Sequence, residues 1–523
     1  MKLVAILLVS LCSFAAYGES VEKSFNKGTK LIGQWRYNEA FDVVNTLRNE
    51  APERAESKLL EAIYNLHHGR YNESVSLLNQ IPSGEWDAYI NSVLSIAKEA
   101  DDLTRTFATK QSANGHFVFL YDAAKDEPLV DWAGDTLEDM HEAMAKDLGF
   151  VAGDPIRVEF LPRSLDLASL SPLTKTDIKT TGTIALCKYN KLMVVTPRAT
   201  TFGYPWLDTL AHEYVHYAVS KLTKNKAPVW LQEGLARFFQ SRWLGTSEHR
   251  LRNNDKALLK KALDNDELIT FDAMHPSMAK LPSQEAGQLA YAEVLTMVSY
   301  LHKLKGLEGI RNMLARHDDD KDARQWVVAE YGLPWSTLER KWKSHLRSIV
   351  RKDRNVVFNK YDGSSIDFSD SEKPKESDAP RYAHIKNPKA RKHARLGGIL
   401  RARGHDEGAA LQYEKALRHM PKVDITIAEK LSRTYLDLAR HEEAFKLSYP
   451  QLKREALKAS VALTAGLSAM ALEKWPEAKE GFYKALQVSP FDPQVRCGLA
   501  KTFEMLEDSR VSREDKACSS LKR

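Results

Sequence analysis

Apolar positions along the chain fall into distinct regimes. From residue 20 to about 110 they recur every three or four places, which predicts helices. The pattern then shortens. His116–Tyr121 reads as a strand, and Ile156–Leu161 alternates as another. Thr183–Lys188 and Leu192–Thr196, parted by Tyr189, Asn190 and Lys191, read as a β-hairpin. Between these runs, Asp131–Leu148 predicts an amphipathic helix with Leu137, Met140, Met144 and Leu148 on one stripe and Gly149 as its stop. Pro162–Thr180 reads as a polar loop. Helical spacing returns after Pro205 and holds to about 350. Leu207, Leu210, Ala211, Val215, Ala218, Val219 and Leu222 mark one helix, with Asp208 and Thr209 in its first turn and Lys224, Asn225, Lys226 and Pro228 ending it. Leu231–Phe239 predicts the next helix, and Ala290–Leu301 a strongly apolar one beyond it.

A longer period runs over the helices. Tyr37 to Tyr71 and Ala40 to Ser74 are both 34 residues, the tetratricopeptide spacing, and this first array stops early at Pro82. The signature returns near the other end. Gly404, Ala409, Tyr413, Ala416 and Pro421 hold the small-residue and closing positions of one unit. Ala444 follows Ala409 by 35 and Ala478 follows Ala444 by 34, with Phe482, Ala485 and Pro490 in place. Three such units in a row predict an α-solenoid, whose concave groove suits an extended peptide or a protein partner. Lys386, Lys389, Arg391, Lys392 and Arg395 at its entrance read as a solvated helix face.

Chemistry concentrates in the helix after Pro205. It holds His212, Glu213 and His216, the pattern H-E-x-x-H. Residues four apart on a helix sit one above the other, so both imidazoles can face one ion. Glu213 points elsewhere and can reach a water on that ion, where a general base belongs. Glu233 lies in the next helix, 233 − 216 = 17 residues on, and a tight helix-loop-helix returns it to the histidines. Two His and one Glu leave a tetrahedral zinc one open position, the arrangement of a catalytic site. His317–Asp320 lacks the spacing of a calcium loop and reads as solvated; His141, His275 and His302 read as packed or surface residues.

Composition adds limits. A chain of 523 residues with 43% hydrophobic and 28% charged residues is ordinary for two to four globular domains. A formal charge of +6 calls for no nucleic acid. Lys2, the apolar run to Ala16 and the small residues Ala16 and Gly18 read as a signal peptide over 1–18, too short to span a bilayer. No later run is long enough either, so the mature chain is expected to be exported without a transmembrane segment, to a periplasm or beyond the cell. Cys187, Cys497 and Cys518 remain; the last two form either a bridge or separate thiols, and Cys187 reads as a packed strand residue.

His212-Glu-Tyr-Val-His216 followed by Trp230-Leu-Gln-Glu-Gly-Leu-Ala236 resembles the gluzincin metallopeptidases, in particular the bacterial peptidase MA-like domains, over about residues 115–345. The resemblance implies one zinc per chain held by His212, His216 and Glu233, with Glu213 as base. It implies a small sheet before the motif helix, its edge strand pairing with substrate, for which Gly182–Leu186 is the expected segment. It also implies an oxyanion-donating tyrosine at the start of a later helix, for which Tyr291 is the candidate. There are two departures from the family. Arg237 stands where the thermolysin group has a supporting aspartate. Gly182–Ala185 lacks the amine-holding glutamate of the aminopeptidases, which favours an endopeptidase.

The expected fold is α+β and predominantly helical, a zincin-type metallopeptidase domain flanked by tetratricopeptide α-solenoid segments. The expected divisions are a signal peptide (1–18), N-terminal helical repeats (19–110), the peptidase domain (112–350), a polar linker (351–387), C-terminal repeats (388–510) and a polar tail (511–523). The expected function is hydrolysis of peptide or protein substrates, with the repeats recruiting substrate or a protein partner. The alternative is a non-catalytic adaptor of the cell envelope that retains a peptidase-like domain.

Overall fold

The computed structural model describes residues 20–84, 86–201, 203–245, 251–317, 322–352, 382, 384–453 and 458–522. The expected signal peptide, most of the expected linker and Asp318–Asp320 lie outside the described residues. The chain divides into two units. The first comprises Met1–Thr196, Leu207–Leu251 and Asp255–Asn355; the second comprises Pro197–Trp206, Arg252–Asn254 and Val356–Arg523.

The first unit is mostly helical around one five-stranded sheet of order β1-β2-β3-β5-β4. The strands are β1 (Ala108–Gln111), β2 (Phe117–Tyr121), β3 (Ile156–Leu161), β4 (Ala185–Lys188) and β5 (Lys191–Val195). β2, β3 and β5 run parallel; β1 and β4 are antiparallel edges. β3 has the bounds its alternation predicts. The β4–β5 hairpin turns on two residues rather than three. Tyr189 and Asn190 both have positive φ (52° and 57°), the twist a two-residue hairpin needs, and this frees Lys191 to pair with Lys188. β1 overturns the expectation of helix as far as 110. Ala-Thr-Lys-Gln has no apolar alternation, and only pairing with β2 makes it a strand.

Two further corrections concern helices. The amphipathic helix begins at Glu127, four residues early, because Pro128 suits its first turn. The polar loop 162–180 contains short helices at Asp166–Ser169 and Lys175–Thr181, the second opened by a capping box between Thr174 and Asp177. Gly182 ends that helix at φ 68°, so the sheet edge is Ala185–Lys188 rather than Gly182–Leu186.

The N-terminal helices pack directly on the sheet. Tyr71 donates to Glu159 Oε1 (2.5 Å) on β3, and the Lys191 ammonium on β5 donates to the Tyr71 hydroxyl. Arg157 Nε bonds the same carboxylate oxygen at 2.5 Å. Nearby, Trp35, Tyr37 and Tyr217 ring the Lys221 ammonium, at 4.6 Å from the Tyr37 centroid.

The motif helix is Trp206–Leu222. Leu207, Leu210, Ala211, Tyr214, Val215, Ala218 and Val219 are fully buried on it, which is why an apolar frame marked it. Lys224 and Asn225 then take positive φ and break it where expected. The next helix, Val229–Phe239, lies against the long run Gln284–Ala315. Gly234 permits this contact: a Cβ there would meet Val298 Cγ2 at 2.7 Å and the Val294 carbonyl at 2.9 Å. Tyr291 falls within that run, past its first turn, rather than at the start.

Among the described residues, the second unit strings eight α-helices from Pro388–Ala402 to Val511–Leu521. Ala409, Ala444 and Ala478 are fully buried. The Tyr413 ring occupies the space a Cβ on Gly397 would need, at 2.8 Å; Phe482 does the same to Gly466 and Gly498. The segment read as a polar tail is helical over Val511–Leu521 and is joined to the preceding helix by a Cys497–Cys518 disulfide. Arg496 and Glu514, both fully buried, pair across the same two helices at 3.0 Å.

Candidate metal centre

His212 and His216 point one turn apart from the motif helix, with Nε2 atoms 3.1 Å apart. Glu233 Oε2 comes from the next helix to 3.3 Å from His212 Nε2 and 3.4 Å from His216 Nε2. Among the described residues, these three form the one group placed to hold a metal ion. Their side chains are 15–18% exposed, so the group is reached from solvent but largely shielded.

The imidazoles are oriented from behind. His212 Nδ1 lies 3.1 Å from Gln240 Oε1, and His216 Nδ1 lies 3.2 Å from Gln232 Oε1. An amide oxygen only accepts, so each Nδ1 donates and each ring turns its Nε2 inward. Glu233 Oε2 is buried and takes no hydrogen bond of ordinary geometry. Two Nε2 atoms and a carboxylate oxygen thus converge on one point, an arrangement that a metal ion, or in its absence a proton on His216, stabilises. Ligand atoms of a tetrahedral zinc at ~2.0–2.1 Å stand ~3.3–3.4 Å apart. The observed spacings of 3.1–3.4 Å match. The donor set fits zinc.

Charge separates the two glutamates. Burial opposes ionisation of Glu233, but the two imidazoles outweigh it and hold its carboxyl well below the usual range. Burial likewise opposes charge on His216, yet the Glu233 carboxylate lifts it to about 9. Glu213 behaves in the other direction. Burial pushes its carboxyl up, the histidines pull it back, and Glu233 pushes it up again. The Cys187 backbone N–H on edge strand β4 also draws the Glu213 carboxyl back down, as the smallest of these influences. Tyr291 stands in the field of Glu233 and Glu213; the Glu233 charge first, then burial, raises its hydroxyl well above the ordinary value.

The structure thus brings His212, His216 and Glu233 to one point, and Glu213 and Tyr291 lie near enough to feel their charge. Gln232, Gln240 and the Cys187 amide were missed. Gln232 sits inside the second motif, where its position beside Glu233 was a readable signal; Gln240 and the amide had none. Arg237 contributes no carboxylate one turn past Glu233, and Gln240 supports His212 instead. His141 bonds the Tyr214 hydroxyl at 2.6 Å, and the His302 ring lies tilted against Phe238 with centroids 5.1 Å apart, as packed residues do.

Residues 143–348 match the Peptidase MA superfamily. The Peptidase MA match contains the whole site, but β1, β2 and the N-terminal helices precede it and the second unit's helices follow it. The first unit thus carries a metallopeptidase-like domain. No curated protein matches the chain in sequence. Two structures of yeast LTA4 hydrolase overlap it: the native enzyme at 12% identity and TM-score 0.33, and the bestatin complex at 11% and 0.30. Each overlap covers 80% of this chain and 66% or 67% of the other. Overlaps of this quality establish no activity.

Proposed function

We propose that the chain is an exported zinc-dependent metallopeptidase that cleaves peptide bonds within polypeptides. The observation that carries this is the convergence of His212, His216 and Glu233 on one point with Glu213 beside it. Zinc held by His212, His216 and Glu233 would lower the pKa of a bound water and polarise a carbonyl. Glu213 takes the proton from the attacking water and later hands it to the leaving amine. Its raised pKa suits a group that must hold a proton between those steps. The Tyr291 hydroxyl, kept protonated, donates to the carbonyl oxygen as charge gathers there. The β4 edge offers backbone groups to an extended substrate.

Support for the wider reading is of other kinds. The Cys497–Cys518 disulfide favours an oxidising compartment, in keeping with export. No described helix is long and apolar enough to cross a membrane. Buried alanines at the 34- and 35-residue spacings favour tetratricopeptide units in the second unit, with a partner or substrate in their groove.

The test pairs metal content with cleavage. Purified protein should carry about one zinc per chain and cut an unstructured polypeptide. Glu213→Gln should keep the zinc and lose the cleavage. Undiminished cleavage by that variant would remove the mechanism, and zinc without cleavage in both forms would favour the adaptor.

A further inference from the structure

We propose that Gln240 is a positioning residue for the metal centre: its amide oxygen sets which nitrogen of His212 faces the cation, so that a neutral group orients the ligand. The inference rests on the zinc reading above and goes past it to how tightly the ion is held. Gln240 closes the helix that carries Glu233, and its own backbone N–H bonds the Ala236 carbonyl at 2.9 Å, so the residue is held at a defined helix end. The two are 240 − 233 = 7 residues apart, about two turns, and so share one face. One short helix thereby presents a ligand to the cation and a brace to a second ligand. Arg237, between them on that face, cannot accept a proton and cannot act as the brace.

The direction of the amide decides the outcome. With Oε1 toward His212 Nδ1, as observed at 3.1 Å, the ring keeps its proton on Nδ1 and Nε2 is free to ligate. With the amide nitrogen there instead, Nδ1 would accept and Nε2 would carry the proton, leaving no lone pair for a metal. His216 is braced in the same way by Gln232, whose amide nitrogen is 3.1 Å from Ser220 Oγ on the motif helix. A carboxylate behind a histidine makes it a stronger ligand. Two amides in place of carboxylates leave both rings weaker ligands and the ion less tightly held.

The experiment measures zinc dissociation constants by chelator competition for the full chain, Gln240→Leu and Gln240→Glu. In parallel, nitrogen NMR of the histidine rings reads the protonation of His212 Nδ1. Gln240→Leu should weaken zinc binding about 10- to 100-fold, and Gln240→Glu should tighten it, with thermal melting of the metal-free proteins little changed. Equal affinity in all three would overturn the inference while leaving the zinc reading intact. Absence of zinc binding by the unmodified chain would instead defeat the zinc reading. The metal-free spectrum then decides the inference alone: a proton on His212 Nδ1 sustains it, and a bare Nδ1 refutes it. Should Gln240→Leu fail to fold, the affinity of Gln240→Glu decides.

Discussion

At the scale of single residues, neighbouring groups of one type take opposite tasks from their surroundings. Glu233 is pinned as an anion between two imidazoles; Glu213, in contact with a backbone N–H, is pushed toward holding a proton. Tyr291 and Glu293 differ similarly on one helix. Tyr291 feels the charge of Glu233 and Glu213, and Tyr291→Phe should lower kcat by about 10²–10³-fold with zinc content unchanged; an unaltered kcat would dismiss it as the oxyanion donor. Glu293 is fully buried and accepts the Ile269 N–H at 3.0 Å. Burial pushes its carboxyl up to about 8, with that N–H and Lys343 acting against the shift. A carboxyl raised on folding binds its proton more tightly in the native state. The associated stability is complete below the ordinary carboxylate range and is lost as pH rises to about 8. Urea titrations should show the chain losing up to ~1.4 kcal/mol per pH unit across that window relative to Glu293→Gln. Parallel curves for the two proteins would show that Glu293 does not titrate there.

Among elements, close approach matters as much as pattern. The motif helix needs only its own apolar stripe and stop signals, but Glu233 reaches the histidines because its helix lies flat on Gln284–Ala315 at Gly234. Gly234→Ala inserts a Cβ 2.7 Å from Val298 Cγ2. The expected cost is about 1–3 kcal/mol of stability, with a fall in kcat as Tyr291 moves away from Glu233. Thermal melting and steady-state kinetics measure both, and a neutral result would mean the helices part without consequence. The sheet shows the same division. β3 was readable from alternation. β1 was not, since its four residues pair only because β2 lies alongside.

For the molecule as a whole, each unit has its own anchor. In the first, helices read as a separate recruiting array are bound to the sheet through Tyr71, Glu159, Lys191 and Arg157. Tyr71→Phe removes the hydroxyl that links the buried Glu159 carboxylate to the Lys191 ammonium, leaving Arg157 on the carboxylate, and should cost about 1–3 kcal/mol in denaturant unfolding; no change in midpoint would mean the hydroxyl is a bystander. In the second, the Cys497–Cys518 bridge and the buried Arg496–Glu514 pair hold the last two helices together.

Local order was enough to pair the two histidines: helical period alone puts His212 and His216 on one face, because that relation depends on residues four positions apart. Chain spacing put Glu233 within range, and the contact of its helix with Gln284–Ala315 at Gly234 set it against them. What no local pattern held was the choice of partners across space: the amide of Gln240 behind the His212 ring and the hydroxyl of Tyr71 on Glu159. These contacts join segments 28 and 88 positions apart. Only the packing of helix on helix and helix on sheet brings such groups within bonding distance.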